Sequence, residues 1–281
     1  MSVSTSFIKW TNHIFPQVVH PFNLQNNGRQ TYAEWQFAKG EDTVRLFLDR
    51  YSLDEMFLHK RVLDMGCGAA GKSLYYVKCG ADHVTGVDIV PHYREEALAL
   101  AKKLSFDGKF TFAVASACAL PFADNSFDTI IMNDFMEHVS QPRQALAEAR
   151  RLLTPEGRIF INFPPYYHPF GAHLSDTINM PWVHLFFREK TLVAAYKDLI
   201  RGLPDEAERL QLKIGLDGQG REAFTYINKM TLKKFKSMLQ DMGITPQYYR
   251  EAPLRSYFKL LARTPLLKEM FVKMAVCVIG K

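Results

Sequence analysis

Between residues 61 and 163, five short apolar runs recur at a regular tempo, and three of them give way to a turn and a helical pattern. They are Arg61-Val-Leu-Asp64, His83-Val-Thr-Gly-Val-Asp88, Phe110 to Val114, Thr129-Ile-Ile-Met132 and Arg158-Ile-Phe-Ile-Asn-Phe163. Helical patterns occupy Lys72 to Lys78, Arg94 to Leu104 and Arg143 to Leu153. Runs without alternation are buried on both faces, so this grammar predicts an α/β fold with a doubly wound, mostly parallel sheet. Two further runs, Ile244 to Tyr249 and Met274 to Ile279, read as an antiparallel pair that brings the sheet to seven strands. After Phe163 the rhythm breaks at Pro164-Pro165, which cannot prolong a central strand. The expected organisation is a helical cap over 1–58, a ligand-binding core over 59–163, an insertion over 164–227 and a return to the core sheet over 228–281.

Composition narrows the class. With 47% hydrophobic and 23% charged residues in 281, the chain can bury a full core, which excludes fibrous and disordered proteins. The first residues lack the basic start and unbroken apolar run of a secretory leader, and no stretch approaches a membrane span, so a cytoplasmic protein is expected. Cys67, Cys79, Cys118 and Cys277 form no C-x-x-C pair, so neither a zinc ribbon nor a disulfide framework is read from them. Residues 228–281 hold 11 Lys/Arg against three acids. Such a tail suits an anionic partner, a membrane surface among them, although the lysines from Lys229 to Lys236 also suit a solvated helix face.

The turn Asp64-Met-Gly66-Cys67-Gly68-Ala-Ala-Gly71-Lys72-Ser73 matches three patterns. Gly66, Gly68 and Gly71 have dinucleotide spacing, and Gly66 through Lys72-Ser73 fits the P-loop of nucleotide hydrolases. The third pattern, Asp-x-Gly-x-Gly, belongs to S-adenosylmethionine sites. Charge separates them. Asp64 would set a carboxylate beside any pyrophosphate bound there, whereas the same group suits an ammonium or a sulfonium. Asp88, 22 residues after Gly66 at the end of the second run, has the spacing at which an acid meets ribose hydroxyls.

Further motifs follow in order: Gly86-Val-Asp88, Leu120-Pro-Phe122-Ala-Asp-Asn-Ser-Phe127-Asp128, Met136-Glu-His138-Val and Arg151-Leu-Leu-Thr-Pro-Glu-Gly157. Together with Val62 to Gly68 they resemble the class I S-adenosylmethionine-dependent methyltransferases, within them most closely the small-molecule branch typified by the ubiquinone and menaquinone enzymes. The resemblance implies S-adenosylmethionine as cofactor, with Asp64, Gly66 and Gly68 at its methionine part, Asp88 at the ribose, Ser116 and Ala117 at the adenine, Asn133 at its border, and Cys67 and Ile89 as further cofactor-binding residues. Ser116 stands where the family usually has Asp, and the third glycine of the turn is displaced to Gly71.

Methyl transfer needs alignment above all, and a base only where the acceptor must lose a proton. The loop after the fifth strand offers His168, His173, Tyr166 and Tyr167 as candidate bases. His168, His173 and His184 are not spaced like a helical metal pair, so no metal is expected. Trp182, Phe186 and Phe187 read equally as lid packing and as an acceptor wall. The segments around Phe22 and Thr31 to Trp35 read as lid or as plain helix packing. Asn162-Phe-Pro-Pro-Tyr166 is similar to the box of amino-methylating DNA enzymes, but Phe163 interrupts it and it follows the wrong strand, so nucleic acid is not the expected partner. The expectation is methylation at O, N or C of a small-molecule acceptor, aromatic or lipid-like in character; the competing readings are a P-loop hydrolase and a non-catalytic cofactor-binding module.

Overall fold

The computed structural model describes residues 3–17, 23, 30–264 and 267–281, so the Phe22 segment lies outside the described residues. Two compact units divide the chain: Gln30–Phe163 with Lys233–Ala252 and Met274–Lys281, and the described residues of Met1–Arg29 with Pro164–Leu232 and Pro253–Lys273. The strands are β1 (Arg61–Met65), β2 (His83–Asp88), β3 (Phe110–Val114), β4 (Phe127–Asn133), β5 (Leu153–Phe163), β6 (Ile214–Leu216), β7 (Glu222–Phe224), β8 (Tyr248–Pro253) and β9 (Val272–Gly280). The principal helices are α1 (Val3–Thr11), α2 (Tyr32–Ala38), α3 (Gly71–Lys78), α4 (Tyr93–Lys103), α5 (Pro142–Leu152), α6 (Glu189–Ile200), α7 (Glu206–Lys213) and α8 (Leu232–Asp241).

The first unit is built on a seven-stranded sheet of order β3-β2-β1-β4-β5-β9-β8. β1 to β5 are parallel, and β9 runs antiparallel to β5 with Arg158 opposite Gly280 and Phe163 opposite Ala275. The order reverses between β1 and β4, which opens a crevice beyond their carboxyl ends. Val62, Val84, Phe110 and Phe112 pack with Leu74, Val77, Ala97 and Ala101 into one core cluster. α5 turns Ala145, Leu146, Ala149 and Leu152 inward, a stripe at helical spacing. α2 starts at Thr31, whose side chain accepts from the Glu34 amide while Glu34 reaches back to the Thr31 amide, a capping box visible as T-x-x-E.

Two elements depart from the expected limits. β5 begins at Leu153, which pairs with Phe127 before the register skips to Thr129 and Arg158, so Thr154 to Gly157 form a bulge in one strand. β8 begins at Tyr248, because Gly243 ends α8 in the left-handed region and Ile244 is spent on burial.

The second unit contains α1, α6, α7 and the β6–β7 hairpin, and its core gathers Ile8, Leu174, Ile178, Leu192, Tyr196 and Phe224. Beneath that core lies an ionic knot. Buried Asp176 accepts from Arg209 Nη1 at 3.0 Å, Lys213 Nζ at 2.5 Å and Tyr196 Oη at 2.7 Å. No helix among the described residues is long and apolar enough to cross a membrane.

Candidate active site

Asp64 is the last but one residue of β1 and only 3% exposed. Its Oδ2 accepts from Ser73 Oγ at 2.6 Å. Burial, with Asp88 adding repulsion, raises its carboxyl from the ordinary 3.8 to about 6, against opposing pulls from Ser73 and Lys72. The site is therefore rich in negative charge: Asp64, Asp88 and Asp134 stand near one another, with Lys72 opposing Asp64 and His92 opposing Asp88.

The turn that follows has little left to offer an anion. Gly66 and Cys67 donate their amides to the Val87 carbonyl at 2.8 and 3.0 Å, Gly68 to Asp88 Oδ2 at 2.8 Å and Ala70 to the Cys67 carbonyl at 3.0 Å. Gly71 donates to Gln36 Oε1 at 3.1 Å, and Gln36 Nε2 donates in turn to the Cys67 carbonyl at 3.3 Å. A phosphate cradle needs these amides free and a lysine aimed at the ligand. Here Lys72 pairs with Asp134 at 3.3 Å and Ser73 is held by Asp64. This accounting disfavours the P-loop reading of Gly66 to Ser73.

The turn is shaped by close approaches. A Cβ on Gly66 would stand 2.4 Å from the Phe135 ring, and one on Gly68, 2.9 Å from Gln36 Nε2 and 3.3 Å from Tyr32. Both glycines have positive φ, so a side chain would be strained whatever the space. Asp88 accepts from Gly68 and, through Oδ1, from the Val90 amide at 3.0 Å. Burial raises its pKa and these amides lower it. Ile89 beside it is 70% exposed, an apolar side chain presented at the strand end. The Ala115 amide meets the Asp88 carbonyl at 3.1 Å, which brings Ser116 and buried Ala117 to the same rim. Asn133 ends β4 and donates to Asp134 Oδ2 at 3.0 Å. The structure thus gathers Asp64, Gly66, Cys67, Gly68, Asp88, Ile89, Ser116, Ala117 and Asn133 at neighbouring strand ends.

Sequence reasoning missed Gln36, placed Tyr32 only within a candidate lid segment, and left Asp134 and Phe135 without a role in the loop after the fourth strand. Tyr32 is half-buried, and burial, Tyr93, Asp88 and Asp134 hold its phenol above the ordinary range. The capping box at Thr31 signals the helix that carries Tyr32 and Gln36 but not what they touch. His138 lies 3.9 Å from buried Glu137, a local arrangement.

Tyr166, Tyr167, His168 and His173 belong to the other unit. Burial, then Glu189 and Tyr167, push the Tyr166 phenol up to about 12, so at neutral pH it is a donor. Burial, with Lys273 and His184 adding to it, pushes His168 down to about 4, and its Nδ1 accepts from the Phe170 amide at 3.2 Å. His173 has φ +51°, and its carbonyl accepts from Lys213 Nζ at 2.7 Å and from Tyr226 Oη. Tyr167 is exposed, its ring 5.5 Å from that of Tyr166. The Tyr166 ring also packs 4.9 Å from His184, and both line a cavity of about 40 Å³ with Glu189, Phe224 and Lys229.

Residues 63–161 match a family model described as a methyltransferase domain. The O-methyltransferase rstn1 of Aspergillus nomiae is 32% identical over 133 residues, 45% of this chain and 59% of that protein. The demethylmenaquinone methyltransferase of Renibacterium salmoninarum is 31% identical over 152 residues, 52% of this chain and 61% of its own. The chain thus spans about three fifths of the length of these two curated relatives. Among solved structures, an S-adenosylmethionine-dependent methyltransferase from Mesorhizobium loti superposes with a TM-score of 0.53 at 15% identity, covering 86% of this chain and 98% of that one, which shows the fold. The family match identifies residues 63–161 as a methyltransferase domain, carried on a doubly wound sheet whose fold the solved structure shares.

Proposed function

We propose that the chain transfers a methyl group from S-adenosylmethionine to an O, N or C atom of a small-molecule acceptor, apolar or planar in character. The observation that carries this reading is the gathering of buried Asp64 with Asp88 and Asp134 around a turn whose Gly66, Cys67, Gly68, Ala70 and Gly71 amides are already taken, an environment suited to a cation without phosphate. When bound, the cofactor supplies an electrophilic methyl group on a sulfonium.

We assign Asp64, with Gly66, Cys67 and Gly68, to the methionine part, where the carboxylate favours an ammonium. Asp88 keeps lone pairs beyond those taken by Gly68 and Val90 for ribose hydroxyls. Ile89 and Ala117 offer apolar contact to the adenine rim with Ser116, and Asn133 borders the site. On the acceptor side we assign Tyr166, Tyr167, His168 and His173, which follow directly on β5. Tyr166 donates a hydrogen bond, and His168, neutral at pH 7 with Nδ1 accepting from the Phe170 amide, carries its proton on Nε2 and donates one as well. Neither is tuned near neutrality as a strong general base would be, which favours an acceptor held by hydrogen bonds over one that must be deprotonated in the slow step. The match to a demethylmenaquinone enzyme supports a quinol-like acceptor.

Calorimetric titration with S-adenosylmethionine, S-adenosylhomocysteine and ATP with magnesium tests the cofactor. Incubation of cell extract with methyl-labelled cofactor, followed by mass spectrometry, tests the transfer. Binding of both sulfur compounds and one labelled small molecule is expected. Binding of ATP alone, or label confined to nucleic acid, would overturn the reading.

A further inference from the structure

The basic excess of the C-terminal third is unevenly spent. Lys229, just before α8, pairs with Glu189 at 3.0 Å and Lys236, within it, with Glu251 at 2.7 Å, so these lysines are matched by acids. Residues 254–273, which run from the end of β8 into the first two residues of β9, differ. They carry Arg255, Lys259, Arg263, Lys268 and Lys273 against Glu269 alone. Arg255, Lys259, Arg263 and Lys273 are exposed, and no ion pair involves them among the described residues.

The insertion is a built tab. Leu254 donates its amide to the Phe271 carbonyl at 2.8 Å, which closes the neck. Phe258 packs 4.8 Å from Phe271, and Phe271 lies 5.8 Å from Trp182. Ala262 is buried on the same inner side. Short turns at Ser256–Phe258 and Leu261–Arg263 then turn the alternate residues outward, leaving Tyr257 71% and Leu260 77% exposed, with Leu267 also exposed. Large apolar tips held in water by a fixed scaffold, ringed by unpaired cations, mark an interaction surface.

Charge and chemistry select the partner. A second copy of the chain would bring a further set of like charges against the first. Nucleic acid would satisfy the cations, but the aliphatic Leu260 and Leu267 have no base to stack on. An anionic bilayer satisfies both, since leucine and tyrosine enter the headgroup region while Lys and Arg meet lipid phosphates. We propose that this tab docks the protein on an anionic phospholipid surface. The proposal is independent of the methyl-transfer reading.

Sedimentation of the full chain with phosphatidylcholine vesicles, with and without phosphatidylglycerol, tests it. Binding is expected only to the anionic vesicles and should weaken with salt. Each cation near the surface contributes about fivefold, so Lys259→Gln with Arg263→Gln should weaken binding by roughly 30-fold. Leu260→Ser with Tyr257→Ser should weaken it at all salt concentrations, with the thermal melt of both variants unchanged. Failure to bind anionic vesicles, equal binding by either double variant, capture of duplex DNA in place of vesicles, or a dimer that Leu260→Ser dissolves in the absence of vesicle binding would each overturn the proposal.

Discussion

Asp64→Asn separates stability from function at the candidate site. Burial raises this carboxyl from 3.8 to about 6. The folded protein therefore holds the Asp64 proton more tightly than the unfolded chain does. As pH rises from about 4 to about 6 the unfolded chain releases its proton first, and the folded state loses stability relative to it. Below that window the penalty is absent; above it the full penalty applies, about two pK units or ~3 kcal/mol at 1.36 kcal/mol per unit. Asparagine keeps an oxygen for Ser73 and carries no charge. The variant should thus match the parent in urea melts near pH 4 and exceed it by up to ~3 kcal/mol near pH 8.

Cofactor binding should move the other way. A charge-assisted bond to an ammonium is worth ~1.5–3 kcal/mol, so Asp64→Asn should weaken S-adenosylmethionine by roughly 10- to 100-fold in calorimetry. In the parent, affinity should fall as pH drops below about 6, because the proton competes with the cationic guest. A variant that is less stable than the parent near pH 8, or one that binds the cofactor equally well, refutes the claim that strained negative charge defines this pocket.

Lys72→Ala should leave S-adenosylmethionine affinity within about fivefold of the parent, since the lysine is engaged with Asp134 in a partly exposed pair. A phosphate cradle would lose its ligand altogether. Gln36→Ala removes two hydrogen bonds that brace the turn and should cost ~1–3 kcal/mol in melts, with weaker cofactor binding. Gly71→Ala places a Cβ 1.9 Å from the Ala33 carbonyl and 2.6 Å from the Phe37 amide, backbone atoms that cannot move aside, so a loss of about 3 kcal/mol or no folded protein is expected on purification. Asp176→Ala leaves Lys213 and one face of Arg209 buried without their carboxylate, and the melt should show a loss on the order of 3–5 kcal/mol.

What could be read from residues alone follows the range of the forces involved. The central parallel strands were legible because they are buried on both faces and so write unbroken apolar runs, as in Val62-Leu63 or Ile159 to Ile161, while β3 at the edge alternates. Asp64 and Asp88 were legible for the same reason, as polar residues at the ends of such runs. Gln36 was not. Its partners, the Cys67 carbonyl and the Gly71 amide, lie 31 and 35 residues away, and a glutamine on a helix carries no motif. The pair Arg209 and Lys213, four apart on α7, reads locally as a solvated basic face; only Asp176, 33 and 37 residues upstream, turns it inward. The glycine turn shows the same limit from the other side. Its spacing permits three ligands, since glycines report only where backbone must come close. The choice among them lies in which amides are already spent, and that is set by Val87, Asp88 and Gln36, none of which belongs to the turn. A glycine pattern therefore locates a ligand, while the surrounding acceptors and charges decide its class.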